Sequence, residues 1–283
     1  MIILDERQVF QQLTPAVCIG LMREAFLLME EGRAAQFLRT PTPLPAGGSL
    51  AYMPAALDGD FFGAKIITVF PGNSGSGFPS HQGSVMLFEA AHGSLVSLTD
   101  ATSVTEIRTG AVSALATDLL ARPEASQLAL LGAGAQGRSH LEAIRLVREL
   151  SSVTVWDKNP LAAKQFADQM EERAGVPIKV CASAQEAAEG ADILCTLTPS
   201  PTPILQREWV KPGAHINAVG ACFPTTRELT SDLVAASRLY CDNYDSLLSE
   251  SGDFLIPRSE GLFEDSHICG SIGQLLKGEA KGR

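Results

Sequence analysis

Residues 127–137 read Gln-Leu-Ala-Leu-Leu-Gly-Ala-Gly-Ala-Gln-Gly, an apolar run that leads directly into Gly132-Ala133-Gly134-Ala135-Gln136-Gly137. Between a strand and a helix, this G-x-G-x-x-G spacing can grip a dinucleotide pyrophosphate. Gly132 permits a tight turn. Gly134 has no Cβ to hold the backbone away from the phosphates, and Gly137 lets the helix pack against the strand. Ala135 and Gln136 open that helix, whose free N–H groups and partial positive charge face the anion. A second signal closes the next strand, Val153-Thr-Val-Trp-Asp157. A carboxylate there accepts hydrogen bonds from the adenosine ribose hydroxyls and repels a 2′-phosphate, which favours NADH. Lys158 follows directly and leaves NADPH as a second option.

Three other side chains could do chemistry. Lys65 sits inside the apolar run 61–70, where a lysine needs a partner. His81, in Pro79-Ser80-His81-Gln82-Gly83, lies where a loop enters a strand. It is either a pocket residue that helps deliver protons or a turn histidine bonded to backbone. Cys222 follows Gly220-Ala221. The six cysteines form no C-x-x-C pair and no metal-ligand spacing with histidine, so no metal site is expected and the thiols fit a reducing, cytoplasmic setting. His140 and His215 sit at a helix start and before a buried strand, where packing roles are expected.

These residues must be positioned by two kinds of structure. Thr14-Pro15 caps a helix over 16–31 with helical apolar spacing, and the Pro/Gly-rich stretch 40–48 reads as a loop. Short apolar runs at 50–53, 61–70, 85–89 and 95–98 then predict a meander, with a turn at 91–94. Residues 100–120 are helical, with Ser103-Val104-Thr105-Glu106 as a capping box. Arg122-Pro123-Glu124 marks a boundary, giving domains 1–122 and 123–265. Beyond it, strands at 128–131, 153–157, 178–181, 193–196, 216–219 and 239–241 alternate with helices. The fold class is therefore α/β: a Rossmann-type doubly wound parallel sheet preceded by an α+β domain. The tail from Gly270 gives no clear element.

Composition narrows the function classes. The chain has 283 residues, 45% hydrophobic and 19% charged, enough for a sizeable core. A formal net charge of −10 argues against a nucleic-acid partner. The N-terminus lacks the basic-then-apolar order of a signal peptide, and no run is long and apolar enough to span a membrane.

Several segments together resemble the ornithine cyclodeaminase/μ-crystallin family: Arg39-Thr-Pro, Tyr52-Met-Pro-Ala, Gly63-Ala-Lys65-Ile, Thr105-Glu-Ile-Arg108-Thr-Gly-Ala, the glycine motif, Gly213-Ala-His-Ile-Asn-Ala-Val-Gly220 and Glu250-Ser-Gly-Asp253. The resemblance implies a homodimeric enzyme that moves a hydride between nicotinamide and the α-carbon of an amino or imino acid. It makes the first domain the substrate-binding and dimerisation domain, with the tail 266–283 as a candidate addition. It also implies that Arg39, Lys65 and Arg108 bind the substrate carboxylate, and that Thr196, Thr198, Val219 and Gly220 approach the cofactor. Members usually continue for a few dozen residues beyond the point matching Gly282-Arg283. Glu250 and Asp253 are expected to cap the segment around Gly252, without a catalytic role.

Two departures from the cyclodeaminase pattern matter. Where those enzymes carry a catalytic Asp, this chain has Cys222, and where they carry a Glu before Met-Pro, it has Ala51. Cyclodeamination oxidises an amine, stabilises a cation and guides a second amine onto it, and carboxylates serve as base and counter-ion. A thiol, mostly protonated at pH 7, is a poor stand-in. Reduction of a preformed cyclic imine needs only an anchored carboxylate, a protonated nitrogen and a placed hydride. The expected reaction is thus reduction of Δ1-pyrroline-2-carboxylate or Δ1-piperideine-2-carboxylate, with Lys65, His81 and Cys222 as candidate catalytic residues. The alternatives are an ornithine cyclodeaminase or alanine dehydrogenase-like enzyme, and a non-catalytic dinucleotide-binding crystallin.

Overall fold

Alternating apolar residues along two long hairpins build the first sheet. The computed structural model describes residues 1–45, 47–73 and 77–283. They fall into two units, Met1–Arg108 and Thr109–Arg283. In the first, β1 (Ile2–Leu4), α1 (Glu6–Gln12) and α2 (Pro15–Glu30) precede β2 (Ala34–Gln36), β3 (Thr40–Pro43), β4 (Ser49–Leu57), β5 (Phe61–Val69), β6 (His81–Glu89) and β7 (Leu95–Asp100). The sheet order is β1-β7-β6-β5-β4-β2, with β3 also paired to β4. Asp5 caps α1 in a capping box and Thr14 caps α2 ahead of Pro15. The turn between β6 and β7 is held by the Glu89 carboxylate, which accepts from the N–H groups of Ala91 (2.8 Å), His92 (3.0 Å) and Ser94 (3.0 Å).

Register decides which side chains share a face. Lys65 pairs with Met53 and Val85, Ile67 with Ala51 and Gly83, and Val69 with Ser49 and His81. Because strand side chains alternate, all nine lie on one face. Its apolar part, Ala51 and Ile67 with Met53, Val69 and Val85, closes on Ala101. Ala101 is the first residue of α3 (Ala101–Leu120).

In the second unit, β8 (Gln127–Leu131), α4 (Ala135–Ile144), β9 (Ser152–Trp156), α5 (Pro160–Ala174), β10 (Ile178–Val180), α6 (Ala184–Ala188), β11 (Ile193–Thr196) and β12 (His215–Ala218) form an α/β core. After it come α7 (Ser231–Ala236), β13 (Leu239–Cys241), α8 (Tyr244–Glu250), α9 (Gly252–Ser259), β14 (Ile268–Ser271) and α10 (Ile272–Lys277). The main sheet runs β10-β9-β8-β11-β12 and all its pairings are parallel. Ala129, Leu131 and Leu194 pack with Ala184, Ala187 and Ala188 of α6 on one face. On the other, Asn217 donates to Thr117 of α3 (3.0 Å). The sheet is therefore doubly wound, with its switch point between β8 and β11.

Five sequence expectations are corrected. The stretch 40–48 is not all loop: Thr40–Pro43 pairs with β4, and its two prolines are tolerated at the sheet margin. Ala46 lies outside the described residues. The cap of α3 is Asp100, whose Oδ1 accepts from Ser103 N–H (2.7 Å) and Ser103 Oγ–H (2.6 Å), so Ser103 is inside the helix and no Ser103–Glu106 box forms. The division between units falls within α3, not at Pro123, because the second half of α3 is packed into the second unit. Residues 239–241 leave the main sheet and pair with β14 instead. The tail joins the second unit, not the first: Arg238 donates to the carbonyls of Gly282 (3.1 Å) and Lys281 (3.0 Å), and Tyr240 Oη–H to Lys281 (2.7 Å).

One carboxylate ties together the strand starts of the main sheet. Asp192 accepts from Arg122 (2.7 Å), from Lys211 (2.7 Å) and from the N–H groups of Ser126 (3.0 Å) and Gln127 (3.1 Å). Burial alone would raise its pKa, but Lys211 and the two N–H groups outweigh it and hold the pKa at about 2. A depressed carboxylate pKa stabilises the fold above the ordinary value of 3.8, and that contribution disappears as pH falls through about 2. Asp192→Asn is expected to cost roughly 3 kcal/mol in urea unfolding at pH 7. The variant should also lose less stability than the parent between pH 4 and pH 2.

Candidate functional site

The glycine loop is shaped by two close approaches and one open position. Gly132, at φ +123°, follows β8, and a Cβ there would lie 2.9 Å from the Leu197 carbonyl oxygen. A Cβ on Gly137 would lie 2.6 Å from the Gly132 carbonyl oxygen and 3.3 Å from Phe166. Both glycines are needed for internal packing. Gly134 differs. It is exposed, and a Cβ on it would meet nothing within 4 Å. It is also the N-cap of α4 with no side-chain cap bond, which leaves first-turn N–H groups facing open space. The loop therefore fits a pyrophosphate: the protein vacates the volume beside Gly134 and aims a helix N-terminus at it.

Asp157 stands at the end of β9 and is bonded to the loop. Its Oδ2 accepts from Ala133 N–H (2.9 Å) and its Oδ1 from Asn159 N–H (2.8 Å). Lys158 beside it is exposed. Ala135 and Gln136 start α4 as the motif requires, and the Gln136 carbonyl is bonded to His140 Nδ1 (2.7 Å). The other ring nitrogen of His140 meets Ser113 Oγ (2.9 Å), so this buried histidine is consumed by packing. His215 likewise contacts Asn217 Oδ1 (3.1 Å), and burial lowers its pKa to about 4.

The carboxyl ends of β11 and β12 bring Thr196, Thr198, Val219 and Gly220 together. Val219 N–H and Gly220 N–H both donate to the Thr196 carbonyl, at 3.1 and 3.2 Å. Beneath them lies Glu228, which sequence reading missed and which is 0% exposed. Its Oε1 accepts from Thr198 N–H (2.7 Å) and Thr198 Oγ–H (2.6 Å), and its Oε2 from Gly220 N–H (2.8 Å). Within Thr-Thr-Arg-Glu-Leu it looks like one more surface charge, because its partners lie 8 and 30 residues away. Asp253 does not cap the segment around Gly252. Its Oδ1 accepts from the N–H groups of Glu228 (2.9 Å) and Leu229 (2.8 Å) and so holds the Glu228 backbone. Cys222 follows on an exposed loop with its thiol 3.5 Å from the Val219 carbonyl.

The first unit gathers the cationic candidates. Lys65 Nζ donates to Thr105 Oγ1 (3.2 Å), and Arg108 lies one turn further along α3. The charge of Arg108 reaches Cys18 on α2, whose thiol burial pushes up to about 11 against the opposing pull of that charge. His81 is the first residue of β6, where the loop enters the strand, and shares the face of Lys65. Desolvation and then the Lys65 charge hold its pKa below the ordinary value, although much of the residue is exposed. Arg39 directly precedes β3, whose Thr40 pairs with Tyr52, next to the Met53 that pairs with Lys65. Ala51 is buried on this same face and brings no carboxylate to it.

The family model for the ornithine cyclodeaminase/mu-crystallin family matches residues 1–283. The chain belongs to this family. The ketimine reductase mu-crystallin of Mus musculus is 39% identical over 250 residues, covering 88% of this chain and 76% of that relative. The Δ1-pyrroline-2-carboxylate reductase of Thermococcus litoralis, solved with NADH and L-proline, superposes with a TM-score of 0.97 at 35% identity, over 100% of this chain and 88% of that one. An archaeal alanine dehydrogenase dimer with bound NAD gives 0.93 at 31% identity, over 100% of this chain and 87% of that one. The α/β fold read from the strand–helix alternation is the fold of this ornithine cyclodeaminase/mu-crystallin chain and of these neighbours.

The two kinds of glycine can be separated experimentally. Gly132→Ala forces a left-handed φ on alanine and a clash with Leu197, and is expected to cost at least about 2 kcal/mol in denaturant unfolding. Gly134→Ala should cost under about 1 kcal/mol, the loss of a better N-cap residue. Equal destabilisation by both would mean that the space beside Gly134 is not open.

Proposed function

We propose that this chain is an NADH-dependent imine reductase that converts Δ1-pyrroline-2-carboxylate to proline and Δ1-piperideine-2-carboxylate to pipecolate. The observation that carries this reading is a sheet face where Lys65 and His81 sit beside a buried alanine, with α3 adding Thr105 and Arg108. Such a face offers charge to an anionic substrate and no carboxylate to serve amine oxidation as base and counter-ion. The likeness to reductases named for ketimines and for Δ1-pyrroline-2-carboxylate supports it.

In this reading the second unit holds the dinucleotide and the first anchors the substrate. Gly132, Gly134, Ala135, Gln136 and Gly137 hold the pyrophosphate, and Asp157 the adenosine ribose, with Lys158 leaving some NADPH use. Thr196, Thr198, Val219 and Gly220 serve the nicotinamide end. NADH, when bound, supplies the hydride. Arg39 and Arg108 grip the substrate carboxylate, where a guanidinium can meet both oxygens. Lys65, steadied by Thr105, adds charge and a proton source. His81, kept neutral at pH 7 by its lowered pKa, can relay a proton without adding a second positive charge. Cys222 lines the site as a thiol in place of a carboxylate. The six free cysteines suit a reducing compartment, and we assign the activity to the cytoplasm.

The assay is NADH oxidation with both cyclic imines, with L-ornithine and L-alanine plus NAD alongside. Imine turnover is expected, and Arg108→Ala should lower kcat/KM by about 10- to 100-fold, the worth of one charge-assisted bond. Ammonia released from ornithine without imine turnover would overturn the reading.

We also infer a homodimer. Ile2 and Ile3 of β1, Phe10 of α1, and Val17 and Leu21 of α2 are exposed at 58%, 64%, 43%, 50% and 47%. An apolar surface of this kind calls for a partner. Sedimentation should give twice the 30.0 kDa chain mass, and Leu21→Glu should shift the protein toward monomer.

A further inference from the structure

Glu228 is the most buried acid among the described residues, and neutral donors alone satisfy it. Three hydrogens point at its two oxygens: the N–H and O–H of Thr198 and the N–H of Gly220. The Thr198 hydroxyl also accepts from Ser200 N–H (3.2 Å), so its own hydrogen is directed to Glu228. A carboxylate accepts all three as charge-assisted bonds. Protonation removes the charge that strengthens them and adds a hydrogen that must be housed in a buried space, and an amide must turn its NH2 toward one of the donors.

The clamp joins two chain segments that touch. A Cβ on Gly220 would strike the Thr198 carbonyl and lie 2.5 Å from Glu228 Oε2. These segments follow β11 and β12 directly, at the carboxyl edge of the sheet and beside its switch point, where doubly wound sheets bind ligands. Glu228 touches no open surface itself. It acts through the groups it holds.

We propose that Glu228 is a positioning residue of the dinucleotide site: as a carboxylate it sets the spacing of Thr198 and Gly220 that the nicotinamide end requires, and protonation releases them. The inference rests on the proposed use of NADH. Its consequence is a cofactor affinity that depends on pH. Burial pushes the Glu228 pKa up to about 7, opposed by the Thr198 donors and reinforced by Asp253. Asp253 is the charged group beneath it on α9. Asp253 is itself raised to about 6 by burial, against the two N–H groups it accepts from and the charge of Arg227.

Stability and affinity should then move in opposite directions. A raised acid pKa means that the folded chain binds the proton more tightly than the unfolded one. Stability therefore falls as pH rises from the ordinary 4.5 through about 7. Affinity for NADH rises over the same change. A purely structural carboxylate would not produce that opposition.

The test is titration of the full-length chain with NADH by fluorescence from pH 5.5 to 8.5, with unfolding midpoints measured in parallel. The wild-type Kd should rise by up to about tenfold per pH unit below pH 7. Glu228→Gln should bind at least about tenfold more weakly at pH 8, with a Kd that no longer changes with pH. Thr198→Val, which removes one donor and leaves the acid, should move the midpoint of the affinity curve to higher pH. This second variant keeps the test decisive if Glu228→Gln does not fold. A wild type that binds NADH with the same pH slope as both variants would overturn the role of Glu228 while leaving the cofactor reading intact. A wild type that binds no NADH at any pH would overturn both.

Discussion

The backbone contact between Gly132 and Leu197 is the constraint on which the second unit turns. β8 and β11 are parallel neighbours, yet the chain leaves β8 toward β9 and reaches β11 only after β10. The loops that follow the two strands must therefore separate from a common edge. At Gly132 the separation starts with the backbone 2.9 Å from the point where a side chain would begin. The turn forced there sends α4 away from the sheet with Gly134 at its exposed end, and Gly137 pressed on Gly132 keeps the helix from retreating. An anion site is the geometric residue of these contacts. The fold cannot close the space beside Gly134 without losing the packing of its neighbours.

What the sequence made legible was whatever depends on residue type within a short span. The glycine spacing, the apolar strands and the carboxylate ending β9 are local patterns with few alternative explanations, and each is found in the structure at its expected place. Capping was harder, because the Ser103 box has the right residue types and only tertiary packing rules it out. Asp100 and Ser103 both suit an N-cap, and the choice was made by Ala101, which is drawn into the apolar cluster with Ala51 and Ile67. That starts α3 one residue after Asp100. β13 was assigned to the wrong sheet for a similar reason. Its strand character is local, but its partner β14 lies in a tail too polar to announce itself.

Glu228 and Asp253 show the limit more sharply. Glu228 sits among Thr225, Thr226, Arg227 and Thr230, and Asp253 follows Glu250-Ser251-Gly252 at the polar start of an apolar run, so neither acid is marked as buried by its own neighbours. Their partners are backbone N–H groups, which every residue but proline has, and one threonine hydroxyl, so no pairing pattern can be read. Burial of the two acids is tolerable because each accepts at least two hydrogen bonds from groups that need acceptors as well. Asp253 fixes the backbone of Glu228, and Glu228 fixes the ends of two strands. Order passes from α9 to the carboxyl edge of the sheet through two buried side chains.

The first unit reaches its chemistry by omission. Lys65 and His81 share a face with Ala51, and desolvation, with the charge of Lys65 added to it, holds the His81 pKa down. A carboxylate at position 51 would neutralise part of this charge and offset the smaller, Lys65 part of that pressure. It would also have to enter the cluster formed by Ile67, Ala101, Met53, Val69 and Val85, where an acid loses its hydration. Alanine keeps the cluster apolar and the face positive. Under the proposed function both effects have the same direction. A positive face attracts the carboxylate of a cyclic imino acid, and it repels the free side-chain ammonium of a diamino acid such as ornithine. Discrimination between the two would then come from charge that is left unbalanced on the protein, and a pocket shaped tightly around one ring size would not be needed to achieve it.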